Sequence, residues 1–254
     1  MELIITKNSQ EMARKATRII ANLVKNKPKA VLGLATGRTM IPVYKELVKI
    51  ARKEKIDFSK ITTFNVDDYL GLSAKNPASH AYYMNKHFFS KANINKKNTH
   101  LPDKNIKSYG KLIKKAGGID LQLLGIGRNG HIGYNEPGQG STLNSKDRKI
   151  KLTENTRKAN SGAFPSLSKV PKYAVTLGIS TILKAREILL LANGKHKADA
   201  IAKAVKGKIS SKNPASFLRK HKNCLFIVDK EAAGKIWIRC IYSSADFFLK
   251  FWYC

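Results

Sequence analysis

A chain of 254 residues with 43% hydrophobic and 8% aromatic residues is long enough to bury a sizeable core and too apolar to be intrinsically disordered. It carries 48 lysines and arginines against 17 acidic residues, and the resulting net charge of +31 attracts anions such as phosphorylated metabolites or nucleic acid. The lysines are scattered rather than arranged in a stripe with aromatic residues, so we expect no nucleic-acid partner.

The compartment follows from three features of the chain. The start, MELIITKNSQEM, lacks the pattern of a secretion signal, and no run reaches the roughly 18 apolar residues of a membrane span. Three cysteines, Cys224, Cys240 and Cys254, show no metal-type spacing, and an odd count without a signal peptide is typical of a reducing compartment. We predict a cytoplasmic protein with no membrane partner.

Short apolar bursts alternate along the chain with segments whose apolar residues recur three and four apart. The bursts predict buried parallel strands at 30–34, 61–66, 119–125, 173–177, 188–192 and 224–228. The other pattern predicts helices, for example at 12–24, 43–51 and 197–205. This alternation favours an α/β three-layer sandwich with a mostly parallel, doubly wound, Rossmann-like sheet. We predict a single domain over 1–235 and an atypical C-terminal tail over 236–254.

In such a sheet the ligand lies beyond the carboxyl ends of the strands, which selects the loops after Leu34, Val66, Leu124 and Ala192. The third of these, GIGRNGHIGYNEPG, contains the G-x-G-x-x-G pattern of dinucleotide sites. Gly133 and Pro137 exclude the helix that such a site needs, so we expect no nucleotide cofactor.

The same loop contains a candidate acid–base pair. His131 is suited to proton transfer near neutral pH, and Glu136 could accept its second ring N–H and fix its orientation. The alternative is a histidine that caps a turn beside a solvated glutamate. The glycines and the position at a strand end favour function. No serine or cysteine nucleophile accompanies His131, and the histidines lack metal-binding spacing, so we predict no metal site.

Two adjacent carboxylates, Asp67 and Asp68, follow the strand predicted at 61–66. Mutual repulsion and burial raise the pKa of neighbouring carboxylates, and this makes one of them a candidate general base. A helix N-cap explains an aspartate here equally well. The residues alone leave both interpretations open.

Two further loops suggest a site for an anion. Thr36, Gly37, Arg38 and Thr39 join a strand to a helix and offer backbone N–H groups, two hydroxyls and a guanidinium, without the G-K-[ST] ending of a Walker A loop. Lys197 lies where a helix begins, a position that a cation occupies at the expense of the helix dipole unless an anion binds there. The alternatives are an ordinary tight turn and chance placement of one lysine among many.

Taken in order, the segments VLGLATG, TFNVDDYLGL, LLGIGRNGHIGYNEPG, NGKHKA and NPASFLRKH resemble the glucosamine-6-phosphate deaminase (isomerising) family from about residue 3 to about residue 233. The string GxNGHIGxNEPG is specific to the deaminase branch, whereas 6-phosphogluconolactonases share only its G-x-[DN]-G-H core. The resemblance implies conversion of glucosamine 6-phosphate and water into fructose 6-phosphate and ammonia, without metal or cofactor.

The resemblance also implies roles for individual residues. Asp67 stands where the family keeps the base for the C2 proton, and His131 where it keeps the ring-opening acid/base. Asn129 and Glu136 stand where the family supports that histidine. The phosphate positions match Thr36, Gly37, Arg38, Thr39 and Lys197.

Three positions depart from the family. Asp68 replaces a usual Glu, Arg38 replaces a usual Gly or Ser, and Gly162 replaces a usual phosphate-binding Arg. We hypothesise that the guanidinium lost at 162 is supplied from 38. Alternatives to the deaminase are a 6-phosphogluconolactonase, another amino-sugar-phosphate isomerase, a non-catalytic sugar-phosphate-binding protein and, from charge alone, a nucleic-acid binder. The sequence leaves open whether the protein forms a homo-oligomer.

Overall fold

The computed structural model describes residues 1–236. The strands are β1 (Glu2–Thr6), β2 (Val31–Leu34), β3 (Thr62–Asn65), β4 (Asp67–Tyr69), β5 (Thr99–His100), β6 (Leu121–Gly125), β7 (Arg148–Lys151), β8 (Tyr173–Thr176), β9 (Glu187–Ala192) and β10 (Cys224–Asp229). The α-helices are α1 (Ser9–Asn26), α2 (Ile41–Lys53), α3 (His80–Met84), α4 (Ile106–Lys115), α5 (Glu154–Asn160), α6 (Ile179–Ile182) and α7 (Ala198–Lys206).

A parallel sheet of seven strands, in the order β1-β10-β9-β6-β2-β3-β5, forms the middle layer and is flanked by helices. The predicted α/β three-layer, Rossmann-like sandwich is therefore confirmed. From β2 the chain proceeds through β3 to β5 on one side, and from β6 through β9 to β10 on the other. The order thus reverses between β2 and β6, and crevices at such reversals are where ligands bind in these sheets.

The strand predicted at 173–177 exists, but its predicted place in the parallel sheet is wrong. β8 lies in a second, three-stranded antiparallel sheet between β4 and β7. Val66 is the point of divergence, because its N–H bonds to Leu34 beside the central sheet while its carbonyl accepts from Leu177. An apolar burst reports burial but not the partner or direction of a strand, so its pattern could not separate the two sheets.

The remaining predicted elements follow from their burial. All four residues of β2 are buried, which is why the strand reads as a continuous apolar run. In α1 the side chain of Asn8 accepts from Glu11 N and caps the helix, and one apolar face is buried. The predicted helices at 12–24 and 43–51 lie within α1 and α2, and the one predicted at 197–205 corresponds to α7.

Of the tail predicted at 236–254, only Ile236 belongs to the described residues, where it is buried. The rest of that prediction lies outside them. Within residues 1–236, none of the helices combines the length and the apolar character that crossing a membrane requires.

Candidate active site

A glycine makes room for the imidazole of His131 in the loop after β6. Gly127 N donates to the carbonyl oxygen of His131 at 2.9 Å and closes a tight turn. A Cβ atom on residue 127 would lie 2.2 Å from His131 Cε1, so the ring can occupy this place only beside glycine. Gly130 has a φ of 87°, and the chain beyond it forms turns rather than the helix of a dinucleotide site.

Glu136 is the carboxylate that faces His131. Its Oε1 lies 3.5 Å from His131 Nδ1, and Nδ1 has no hydrogen-bond partner within the described residues, so Glu136 acts on the imidazole through the charge of its carboxylate and not through a hydrogen bond. Burial lowers the pKa of His131; the charge of Glu136 opposes this, that of Lys197 reinforces it and that of Asp67 opposes it. The net effect is a lowered pKa, which leaves the imidazole neutral at neutral pH.

Two side chains hold Glu136, which is fully buried. Asn129 Nδ2 donates to Glu136 Oε2 at 2.6 Å, and Asn129 Oδ1 accepts from His131 N at 3.2 Å. The hydroxyl of Thr156 in α5 donates a short hydrogen bond to Glu136 Oε1. No motif in the sequence indicates Thr156, because it lies 20 residues from Glu136 along the chain.

The two adjacent aspartates have different partners. Asp68 Oδ1 accepts from Tyr69 N at 2.7 Å and from His80 N, the first residue of α3, at 3.1 Å. Burial raises the pKa of Asp68. Asp67 Oδ1 instead lies 3.0 Å from the ring nitrogen Nδ1 of His80. Asp68 thus serves the start of a helix, whereas Asp67 pairs with an imidazole that no motif in the sequence had indicated.

The loop after β2 is tied to its neighbours. Gly37, at a φ of 111°, accepts from the Tyr83 hydroxyl at 2.7 Å and from Met40 N at 3.0 Å through its carbonyl. Thr39 donates its hydroxyl proton to Asn193 Oδ1 at 2.7 Å, which joins this loop to the loop after β9. Thr36 is half-buried beside them. The loop predicted to bind an anion therefore forms a turn that is hydrogen-bonded to its neighbours and leads into α2.

Arg38 extends from this loop to the short helical turn Ser161–Ala163. A Cβ atom on Gly162 would lie 3.9 Å from Arg38 Nη2. The guanidinium of residue 38 therefore lies next to the position where the resemblance calls for an arginine.

Lys197 is half-buried rather than fully solvated. Its Nζ donates to the carbonyl oxygen of Ile126 at 2.6 Å. Burial and then the charge of Arg128 lower the pKa of Lys197 to about 8. Burial is the main cause that lowers the pKa of His196. The charges of Lys197, Arg128 and, more weakly, Arg38 lower it further. Three cations thus gather at one place, an arrangement that suits an anion.

The loops after β2, β6 and β9 are joined by the Thr39–Asn193 and Lys197–Ile126 hydrogen bonds. Asp67, the first residue of β4 and two residues beyond the end of β3, exerts its charge on His131. All four lie at the carboxyl edge of the sheet. These features define the class of the protein, an α/β enzyme with an imidazole, carboxylates and a cation cluster at one edge of a parallel sheet.

The chain belongs to the family of glucosamine-6-phosphate isomerases and 6-phosphogluconolactonase, whose model matches residues 6–227. It is 46% identical over 243 residues to a glucosamine-6-phosphate deaminase of Thermoanaerobacter sp. (strain X514), covering 93% of this chain and 95% of that protein. It is 47% identical over 241 residues to a glucosamine-6-phosphate deaminase of Halothermothrix orenii, covering 92% and 99% of the two chains.

Solved structures agree with this assignment. A monomeric glucosamine-6-phosphate deaminase superimposes with a TM-score of 0.89 at 42% identity, covering 92% of this chain and all of that one. A 6-phosphogluconolactonase from Thermotoga maritima superimposes with a TM-score of 0.71 at 23% identity, over 90% and 98% of the two chains. The second likeness shows a shared fold alone.

Proposed function

We propose that the protein converts glucosamine 6-phosphate and water into fructose 6-phosphate and ammonia. The observation that carries the proposal is that Lys197 Nζ bonds to Ile126 O, at the start of the loop that carries His131 and Glu136. The charge of Asp67 acts on the same imidazole. A proton carrier for the ring, a second for the carbon chain and a cation for the phosphate are then available to one sugar. The deaminases at 46% and 47% identity support the same reaction.

Ring opening is the task of His131. The neutral imidazole takes the proton of the anomeric hydroxyl and delivers a proton to the ring oxygen, which opens the ring to the aldehyde. Its lowered pKa keeps it unprotonated and therefore ready to accept. Glu136 and Asn129 stabilise the transient imidazolium and keep the loop in place.

Isomerisation is the task of Asp67. Once the ring is open, the hydrogen on C2 is acidic, and the carboxylate carries that proton from C2 to C1. The amine loses a proton as its carbon becomes an imine, and the aldehyde oxygen at C1 gains one through His131 and becomes a hydroxyl. Water then converts the imine to the ketone and releases ammonia. Each proton transfer is assigned to a side chain of this protein, so the scheme draws on no cofactor.

The phosphate is bound by the cation cluster and the turn before α2, through Thr36, Gly37, Arg38, Thr39 and Lys197. The hydroxyl of Thr39 already donates a hydrogen bond to Asn193, so Thr39 contributes to phosphate binding by holding the loop in position. We further propose that residues 1–235 act as one domain and that the enzyme works in the cytoplasm.

A coupled assay for fructose 6-phosphate and ammonia tests the proposal. We expect turnover by the wild type, and Asp67→Asn and His131→Gln each to lower kcat by about 10²–10⁴-fold, because each removes a proton carrier. His131→Gln should unfold at the temperature of the wild type, whereas Asp67→Asn should unfold at a lower temperature because it loses the ion pair with His80. Circular dichroism at the assay temperature should show that both variants are folded. Hydrolysis of 6-phosphogluconolactone by a wild type that is inert towards the amino sugar would assign the chain to the other branch of the family.

A further inference from the structure

The buried imidazole of His80 lies against Asp67. His80 is the first residue of α3 and is 9% exposed. Its Nδ1 lies 2.9 Å from the carbonyl oxygen of Asp67 and 3.0 Å from Oδ1 of the same residue. Both neighbours are acceptors, so Nδ1 must carry a proton and share it between them.

The surroundings leave this imidazole little freedom. The backbone N–H of His80 is anchored on Asp68 Oδ1 at 3.1 Å. The ring stacks on Tyr134 at a centroid distance of 6.1 Å with 17° between the planes, and it contacts Tyr69 at 5.3 Å. The main chain and the ring of His80 therefore hold the two adjacent aspartates in different orientations.

The ionisable groups around His80 make it a cation. Burial disfavours the charged ring, but the hydrogen bond and charge of Asp67, together with the charge of Asp68, outweigh burial and raise the pKa of His80 to about 9. Tyr69 and Tyr134 face the ring from the other sides, and burial raises the pKa of both, so they stay neutral. Near neutral pH, Asp67 therefore faces an imidazolium.

We propose that His80 is a positioning residue that fixes the carboxylate of Asp67 through Oδ1, so that Oδ2 is the atom that takes the C2 proton. This inference rests on the proposed role of Asp67 as the base. Within residues 1–236, Oδ2 of Asp67 receives no hydrogen bond from the protein. The donor on one oxygen therefore leaves the other oxygen available to the substrate.

Two substitutions separate the charge of His80 from its hydrogen bond. His80→Asn retains an N–H donor near the position of Nδ1 but loses the cation, and His80→Ala loses both. We expect His80→Ala to lose about tenfold in kcat with KM unchanged, since a freely rotating carboxylate is misplaced. His80→Asn should retain most of kcat, because the donor that holds Oδ1 of Asp67 is still present.

His221→Asn is the matched control. His221 also bonds to the backbone, with Nε2 2.8 Å from Ala185 O, but it lies at the opposite edge of the sheet. Loss of that histidine should lower the unfolding temperature without lowering kcat. A wild-type kcat in His80→Ala, or an equal loss of kcat in His80→Ala and His80→Asn, would overturn the proposal.

A measurement on the imidazole itself does not depend on catalysis. In a nitrogen-detected NMR titration of the wild type, His80 should remain an imidazolium beyond pH 8, and in Asp67→Asn it should lose its proton at lower pH. If His80 lost its proton at the pH of an ordinary histidine in both proteins, the ion pair between His80 and Asp67 would be refuted. Full activity of Asp67→Asn would refute the proposed function instead, whereas an inactive Asp67→Asn beside fully active His80 variants would refute only the role of His80.

Discussion

Individual side chains in this site are held by partners that are not adjacent to them in the sequence. Glu136 is held by Thr156 and Asn129, and Asp67 by His80. Each partner satisfies a buried or half-buried carboxylate that would otherwise lose its hydration without compensation. The two carboxylates are therefore held in place by the side chains of Asn129, Thr156 and His80.

Arg38 provides a test of how the phosphate is bound. Its Nη2 lies beside Gly162, where the family resemblance calls for an arginine, so we expect Arg38→Ala to raise KM for the phosphosugar several-fold and leave kcat largely unchanged. Steady-state kinetics at fixed ionic strength measure this. Arg18→Ala, which removes an equally positive side chain from the surface of α1, is the control for total charge.

A second substitution makes the test of Arg38 more specific. Gly162→Arg in the Arg38→Ala background places a guanidinium in the same space from the other side and should restore KM. An Arg38→Ala variant with the KM of the wild type would remove Arg38 from the phosphate site.

Among the elements, the loop after β9 depends on the end of β10. Asp229, buried at the last position of β10, accepts from Gly194 N at 3.0 Å and from Ala232 N at 2.8 Å. Gly194 has a φ of 85° and begins the helical turn Lys195–Lys197. The carboxylate of one strand end thus sets the position of the lysine carried by the neighbouring strand.

Asp229→Ala should loosen this loop. Two buried N–H groups lose their acceptor, at a cost of about 1–3 kcal/mol each, so we expect the unfolding temperature to fall by several degrees. KM should rise because Lys197 is displaced, and kcat should change less. Calorimetry and steady-state kinetics measure the two effects.

Asp199→Ala is the matched control for Asp229. Asp199 lies in the first turn of α7 and pairs with Lys235 at 2.8 Å, with both side chains well exposed. Exposed ion pairs of this kind contribute little, so its loss should leave both the unfolding temperature and KM unchanged. Equal effects of the two substitutions would show that Asp229 has no special role in holding the loop.

Over the whole molecule, the net charge of +31 has a kinetic consequence. A strongly positive surface that surrounds a cation cluster attracts a dianionic sugar phosphate over distances greater than contact. Salt reduces this attraction, since the screening length is about 10 Å at an ionic strength of about 0.1 M.

We therefore expect kcat/KM for the phosphosugar to fall several-fold between about 0.02 and about 0.5 M sodium chloride, with little change in kcat. Chloride suits this test because sulfate and phosphate would compete for the site directly. A kcat/KM that is constant across this range would show that the surface charge serves solubility alone.

The pattern of residues along the chain was sufficient for the alternation of strands and helices, for five of the six predicted strands in the parallel sheet, and for the four strand-end loops that carry the candidate site. Those features depend on local periodicity and on the rule that parallel strands present their carboxyl ends at one edge. The G-x-N-G-H-I-G-x-N-E-P-G string indicated the deaminase branch for the same reason, because its residues are contiguous.

Folding in three dimensions was needed for the rest. The antiparallel setting of β8, the pairing of His80 with Asp67, the support of Glu136 by Thr156 and the approach of Arg38 to Gly162 all join segments that are distant in the chain. A pattern of apolar and polar residues specifies which faces are buried, but the direction of a strand and the partner of a buried side chain depend on how separate elements pack. These contacts therefore had no local signal from which they could be predicted.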